Sequence, residues 1–216
     1  MSRSLKSLVS DTAIYGLSSI IGRFLNYLLV PLYTYKIAAE TGDYGIITNI
    51  YAYTALLLVI LTFGMETTFF YFSNKEGVNP NKAFSTASIS VGAVAVAFVL
   101  LVNIFIGPIS HNLGYESHPE YITIMAGVVG LDAFQAILFA LLRKQGKAWK
   151  FATLKLLFII LNIGLNLFIF LVAPKLAVSH PELMGWYHSD NLVGYIFKVN
   201  LFCTAVVTFG FIPELK

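Results

Sequence analysis

Long apolar runs alternate along this chain with short polar stretches. The runs extend from Asp11 to Tyr33, Tyr44 to Phe72, Ala83 to Ile109, Tyr121 to Leu142, Phe151 to Val172 and Leu192 to Ile212. A helix needs about 20 residues to cross ~30 Å of hydrocarbon, so each run predicts one transmembrane helix. Stretches such as Leu56-Leu57-Leu58-Val59-Ile60-Leu61 are continuously apolar, which excludes the period-two alternation of a transmembrane β-barrel. The expected fold class is all-α: a polytopic six-helix bundle forming a single membrane domain over residues 1–216.

Composition agrees. The 216 residues are 57% hydrophobic and 12% charged, with a mean hydropathy of +0.77, whereas soluble domains carry about 25% charged residues. The N-terminus has Arg3 and Lys6 but no short apolar core followed by a small-residue cleavage site, so it reads as retained rather than as a signal peptide. Pro31, Pro108, Pro174 and Pro213 lie near the far ends of runs, where they are expected to end or bend helices. The loop from Ala173 to Asn191 is too short for a folded domain.

The loops fix an expected orientation. The N-terminus, the second and fourth loops and the C-terminus hold Arg3, Lys6, Lys75, Lys82, Arg143, Lys144, Lys147, Lys150 and Lys216, against only Lys36 and Lys175 in the first, third and fifth loops. The positive-inside rule then puts both termini in the cytoplasm. Topology accounts for the formal net charge of +3 and leaves nothing to suggest a nucleic-acid partner. His111, His118, His180 and His188 fall in the third and fifth loops at spacings that fit no metal-ligand pattern. Cys203, the only cysteine, reads as a packing residue, and Trp149 and Trp186 as interfacial anchors.

Five ionisable residues interrupt the apolar runs: Arg23, Glu66, Asp132, Lys155 and Lys198. Each costs about 2.5–3.5 kcal/mol at a helix centre and needs a partner, a wet cavity or a function. Arg23 flanks a stripe of small and polar residues comprising Asp11, Tyr15, Ser18, Gly22, Asn26 and Tyr33. Lys155, Asn162 and Asn166 form a second polar line, and Asn191, Gly194 and Lys198 share a side of the sixth helix. Gln135 stands one turn beyond Asp132. Two readings stay open. Arg23 with Asp132 and Glu66 with Lys155 form structural pairs, or the cations line a passage in which Asp132 and Glu66 carry a coupling ion. No phosphate-binding loop and no hydrolase or metalloprotease motif occurs, so the chain is not expected to be an enzyme and no cofactor is implied.

Ile21-Gly22-Arg23, Asn26, Val30-Pro31-Leu32-Tyr33-Thr34, Tyr44-Gly45 and Gly64-Met65-Glu66-Thr67-Thr68-Phe69-Phe70 resemble the opening of a bacterial polysaccharide or O-antigen (Wzx-like) flippase of the multidrug/oligosaccharidyl-lipid/polysaccharide exporter superfamily. The likeness runs from about Leu5 to Pro213 and includes the basic loop Arg143-Lys144-Gln145-Gly146-Lys147. Tyr71 departs from it, standing where relatives often carry an arginine. Such proteins have two six-helix lobes around a central cavity. The chain would correspond to the N-terminal lobe of this MATE-like fold, with the second lobe absent, and so reads as a truncated product or one half of a homodimer. The resemblance implies translocation of an undecaprenyl-pyrophosphate-linked oligosaccharide across the bacterial cytoplasmic (inner) membrane by alternating access, with H+ or Na+ as coupling ion. Polysaccharide polymerases or glycosyltransferases would be partners. It makes Arg23, Lys155 and Lys198 the cations that hold the pyrophosphate; with the polar lining of Asn26, Asn162 and Asn166 these are the candidate substrate-binding residues, and Asp132, Glu66 and Gln135 are the candidate ion-coupling groups or charge partners. The alternatives are an ion-coupled multidrug exporter and a non-transporting scaffold for polysaccharide assembly.

Overall fold

The computed structural model describes residues 10, 12–18, 20, 21, 27–37 and 43–215. Among them, every regular element is helical. The order is α1 (Leu29–Lys36), α2 (Asp43–Thr62), α3 (Met65–Ser73), α4 (Pro80–Ile104), α5 (Ile106–Leu113), α6 (Pro119–Gln145), α7 (Ala148–Leu167), α8 (Ala173–Ser179) and α9 (Leu192–Phe209). A π-helical turn, Phe168–Val172, joins α7 to α8, and a 3₁₀ turn, Ile212–Glu214, follows α9. Five stretches of the described residues are long and apolar enough to cross a membrane: Asp43–Ser73, Pro80–Ile104, Pro119–Gln145, Ala148–Ser179 and Leu192–Phe209. The chain is an all-helical, multi-pass membrane protein. The first expected span is described only in part; Asp11, Gly22, Arg23 and Asn26 lie outside the described residues.

The expected spans are interrupted where local backbone chemistry dictates. The run from Tyr44 to Phe72 was expected as one helix, but Phe63 (φ 32°) and Gly64 (φ 71°) break it into α2 and α3. Gly64 meets this left-handed geometry without a Cβ penalty. Upstream of Pro108, Pro174 and Pro213 a helix ends or widens, at Ile104, Leu167 and Phe209 respectively, and all four prolines, Pro31 included, lie just inside the element that follows. Each sits in the first turn of a short new one, α1, α5, α8 and the 3₁₀ turn respectively, where its missing N–H leaves no bond unmade. In front of Pro174 the helix widens into the π turn, as expected where a proline ring crowds the carbonyl four residues earlier. The fifth loop is consequently shorter than expected, because Ala173–Ser179 is helical.

The central element is α6, which packs on α2, α3, α4, α5, α7 and α9. Two-thirds of its spanning window is buried (67%), against 22% for α4. Its small residues make this possible. Ala133 and Ala140 are fully buried, and a Cβ on Gly130 would come to 3.0 Å from Val99 Cγ2 of α4. Without a strong hydrophobic drive between helices in lipid, such close approach is what holds them together. The outer face of α4, with Ile89, Val96 and Leu100 exposed, is the kind of surface acyl chains cover.

Candidate functional site

Asp132, Gln135, Phe139 and Arg143 recur at three- and four-residue spacing along one face of α6 and line the same cavity of about 400 Å³. Lys155 and Phe158 of α7 face them, and Glu66 in the first turn of α3 completes the wall. The break at Phe63-Gly64 immediately precedes Glu66, so the irregular backbone lies beside the polar space, the place where a membrane bundle tolerates it.

The pairing inside this cavity differs from expectation. Glu66 does not pair with Lys155; its Oε1 accepts from Nη2 of Arg143, whose guanidinium also lies 5.5 Å from the Phe70 ring centre. Arg143, read from sequence as a loop cation, is therefore a cavity cation. Lys155 turns its Nζ onto the Phe139 ring, 4.1 Å from the centroid, a cation–π contact. Among the described residues no carboxylate lies within 4 Å of Lys155, although Asp132 and Lys155 share the cavity and attract each other electrostatically.

Lys198 is not brought to this site. It is exposed toward the opposite end of the bundle, with its ammonium 5.4 Å from the Tyr195 ring centre. Of the three cations expected to line the passage, the described lining holds only Lys155; with Arg143 it has two cations, against the two acids Glu66 and Asp132. Once Glu66 and Arg143 neutralise each other, Lys155 and Asp132 remain as the variable pair. Arg23 lies outside the described residues and adds nothing to this tally.

The polar side of α9 is the line Asn200, Thr204 and Thr208, four residues apart, rather than Asn191, Gly194 and Lys198. Gln135 Nε2 donates to the Thr204 carbonyl (2.9 Å) and to Thr208 Oγ1 (2.8 Å). Its amide therefore pins α6 to α9 instead of serving Asp132. The Thr204 hydroxyl donates to Asn200 Oδ1 at 3.5 Å. Asn200 Nδ2 donates to Tyr51 Oη at 2.9 Å, tying α9 to α2.

The expected polar line of α7 divides between two cavities. Lys155 faces the charged one, whereas Asn162 opens into a second cavity of about 390 Å³ that Tyr33, Thr48, Tyr51 and Asn200 also line. Phe158 borders both. Asn166 is buried behind Asn162 and donates to its backbone carbonyl (2.8 Å) and to its Oδ1 (2.6 Å).

At the basic-loop end, Glu214 accepts from Lys147 at 3.3 Å and from Lys150, holding the α6–α7 connection against the end of α9. Burial raises the pKa of this carboxyl, but the two lysine hydrogen bonds and charges outweigh it and leave it below the ordinary value. At the opposite end His111 pairs with Glu116, and His118 pairs with Glu120 at 2.9 Å while stacking on Tyr121. No group of His, Cys, Asp or Glu among the described residues is arranged to hold a metal ion.

Arg143 carried a signal in the sequence, since it continues the Asp132, Gln135, Phe139 stripe by one more turn. Tyr51 and Asn200 carried none, because their partnership joins residues 149 apart. No family model matches this chain, and no curated protein or solved structure matches it either.

Proposed function

We propose that this chain acts in a transporter that moves an anionic, lipid-linked oligosaccharide of the polyprenyl-pyrophosphate type across a cytoplasmic membrane, coupled to an ion gradient. The observation that carries the reading is Lys155, a cation inside a membrane bundle that faces an open cavity, shares it with Asp132 and lies within 4 Å of no described carboxylate. A cation at such depth is costly unless it serves a partner, and here the partner is supplied by the substrate.

The mechanism follows from the charge tally. With Asp132 ionised, Lys155 is balanced from within and an anion gains little. When a proton or sodium ion neutralises Asp132, the described lining carries one net positive charge, and a phosphate-bearing group is favoured. Ion and anion binding then reinforce each other by the same coupling free energy in both directions. Breaks at Phe63-Gly64 and at the π turn before Pro174 supply flexing points for alternating access.

Asp132, which also lacks a cation within 4 Å among the described residues, supports a second reading, an ion-coupled exporter of cationic compounds. Calorimetric titration of the purified chain in nanodiscs discriminates the two. Inorganic pyrophosphate should bind, more tightly for Asp132→Asn and more weakly for Lys155→Gln. Binding of tetraphenylphosphonium with no binding of pyrophosphate would reject the anion reading in favour of the second.

A further inference from the structure

We infer that the second cavity, between α1, α2, α7 and α9, is a binding site for an uncharged saccharide ring, separate from the charged cavity. The inference rests on the oligosaccharide reading above, for which it supplies the sugar subsite.

The lining itself makes the argument. Hydroxyls of Tyr33, Thr48 and Tyr51 and amides of Asn162 and Asn200 surround the space, and among the described residues no charged side chain lines it. Among the described residues the lining offers no carboxylate to a cation and no cation to an anion. What remains is a neutral ligand that both donates and accepts hydrogen bonds. The volume of about 390 Å³ falls within the ~300–1,000 Å³ of ordinary ligand pockets.

The internal bonding leaves suitable groups over. Tyr51 Oη accepts from Asn200 at 2.9 Å and so keeps its own proton to donate. Asn162 accepts from Asn166 through its carbonyl oxygen at 2.6 Å and keeps its NH₂ group. Thr48 donates to the Gly45 carbonyl at 3.0 Å and keeps its lone pairs. These are two donors and an acceptor held by helices rather than loops, a set that matches the alternating donors and acceptors of a polyol. Tyr33 is packed on Phe170, with centroids 5.4 Å apart, and Phe158 closes the side toward the charged cavity. These rings give apolar faces for the C–H side of a sugar. A site built to bond hydroxyls rejects ligands lacking them.

The test uses the purified chain in nanodiscs, with saturation-transfer difference NMR reading two neutral disaccharides, maltose and N,N′-diacetylchitobiose, and titration calorimetry reading pyrophosphate. At least one disaccharide should give a transfer signal. That signal should fall fivefold or more in Asn162→Leu and at least twofold in Tyr51→Phe, which keeps the ring and so tests the hydroxyl in a folded protein. Lys155→Gln should leave it unchanged while weakening pyrophosphate. Silence from both disaccharides, or signals that ignore both variants, would overturn the inference. If pyrophosphate binds while the sugars stay silent, the subsite falls and the transporter reading stands. Sugar binding without pyrophosphate binding would keep the subsite and remove the anion reading.

Discussion

The two ends of α7 begin from the same sequence pattern and finish in different chemistry. Lys155 and Asn162 lie two turns apart on one helix face, yet Lys155 opens into a cavity with four charged groups and Asn162 into one whose described lining has none. The difference comes from what the neighbouring helices present. Near Lys155, α6 contributes Asp132 and Arg143 and α3 contributes Glu66, whereas near Asn162, α2 contributes Tyr51 and α9 contributes Asn200. One helix face thus acquires two environments from its partners, with Phe158 bordering both.

The sharpest way to break this comparison is Lys155→Ala. If the charged half binds an anion through this ammonium, removing it forfeits a charge-assisted contact of about 1.5–3 kcal/mol, so pyrophosphate affinity should drop about 10- to 100-fold in calorimetry. Disaccharide binding should not move. Unchanged pyrophosphate affinity would mean that the cation–π contact with Phe139 is the whole role of Lys155.

Asp132→Asn should act in the opposite direction. Removing a like charge ~10 Å from a bound anion, at an effective dielectric of ~20, is worth roughly 1.7 kcal/mol, so pyrophosphate should bind about 15- to 20-fold more tightly. Transport in sealed vesicles should at the same time stop responding to an imposed ion gradient. Tighter binding with gradient response retained would place ion coupling elsewhere in the bundle.

The sequence made the fold legible to the extent that bilayer thickness dictates it. Tyr121–Leu142 and Phe151–Val172 were readable as membrane helices because an apolar run of that length has few other uses; the structure extends the first by two and three residues at its ends, and carries the second on through a π turn to Ser179. The breaks were less legible. Phe63-Gly64 and the π turn before Pro174 depend on backbone geometry that hydropathy does not record. At the site, Asp132, Lys155, Glu66 and Asn162 announced themselves by being polar in apolar surroundings. Their partners did not, because Tyr51 is ordinary in a membrane helix and Arg143 resembles a topological loop charge. Lys198 misled for the same reason: depth along a helix does not tell which way a side chain faces.

A smaller effect separates architecture from chemistry in the charged half. Gln135→Ala removes two hydrogen bonds to α9, at ~0.6 kcal/mol each for bonds within a membrane bundle, so stability should fall by about 1 kcal/mol in a denaturant titration. Pyrophosphate affinity should stay within twofold. A large loss of affinity would show that the α6–α9 clamp sets the position of Asp132.

Glu214→Gln should have the least effect, and its pH dependence sets it apart. The lysine hydrogen bonds hold this carboxyl's folded-state pKa below its ordinary value of 4.5, so the unfolded chain takes up its proton first as pH falls. The clamp therefore contributes its full stability above about pH 4.5 and loses it as pH drops through the lower, folded-state value. With Lys147 half-exposed, the contribution falls in the range of partly solvated ion pairs, about 0.2–1 kcal/mol. Glu214→Gln should show that deficit at neutral pH and converge with the parent protein at strongly acidic pH, as read by thermal unfolding in detergent. Because this clamp borders neither cavity, both ligands should bind unchanged. Altered pyrophosphate affinity would mean that the α6–α7 connection moves with substrate, joining the end of the chain to the charged half.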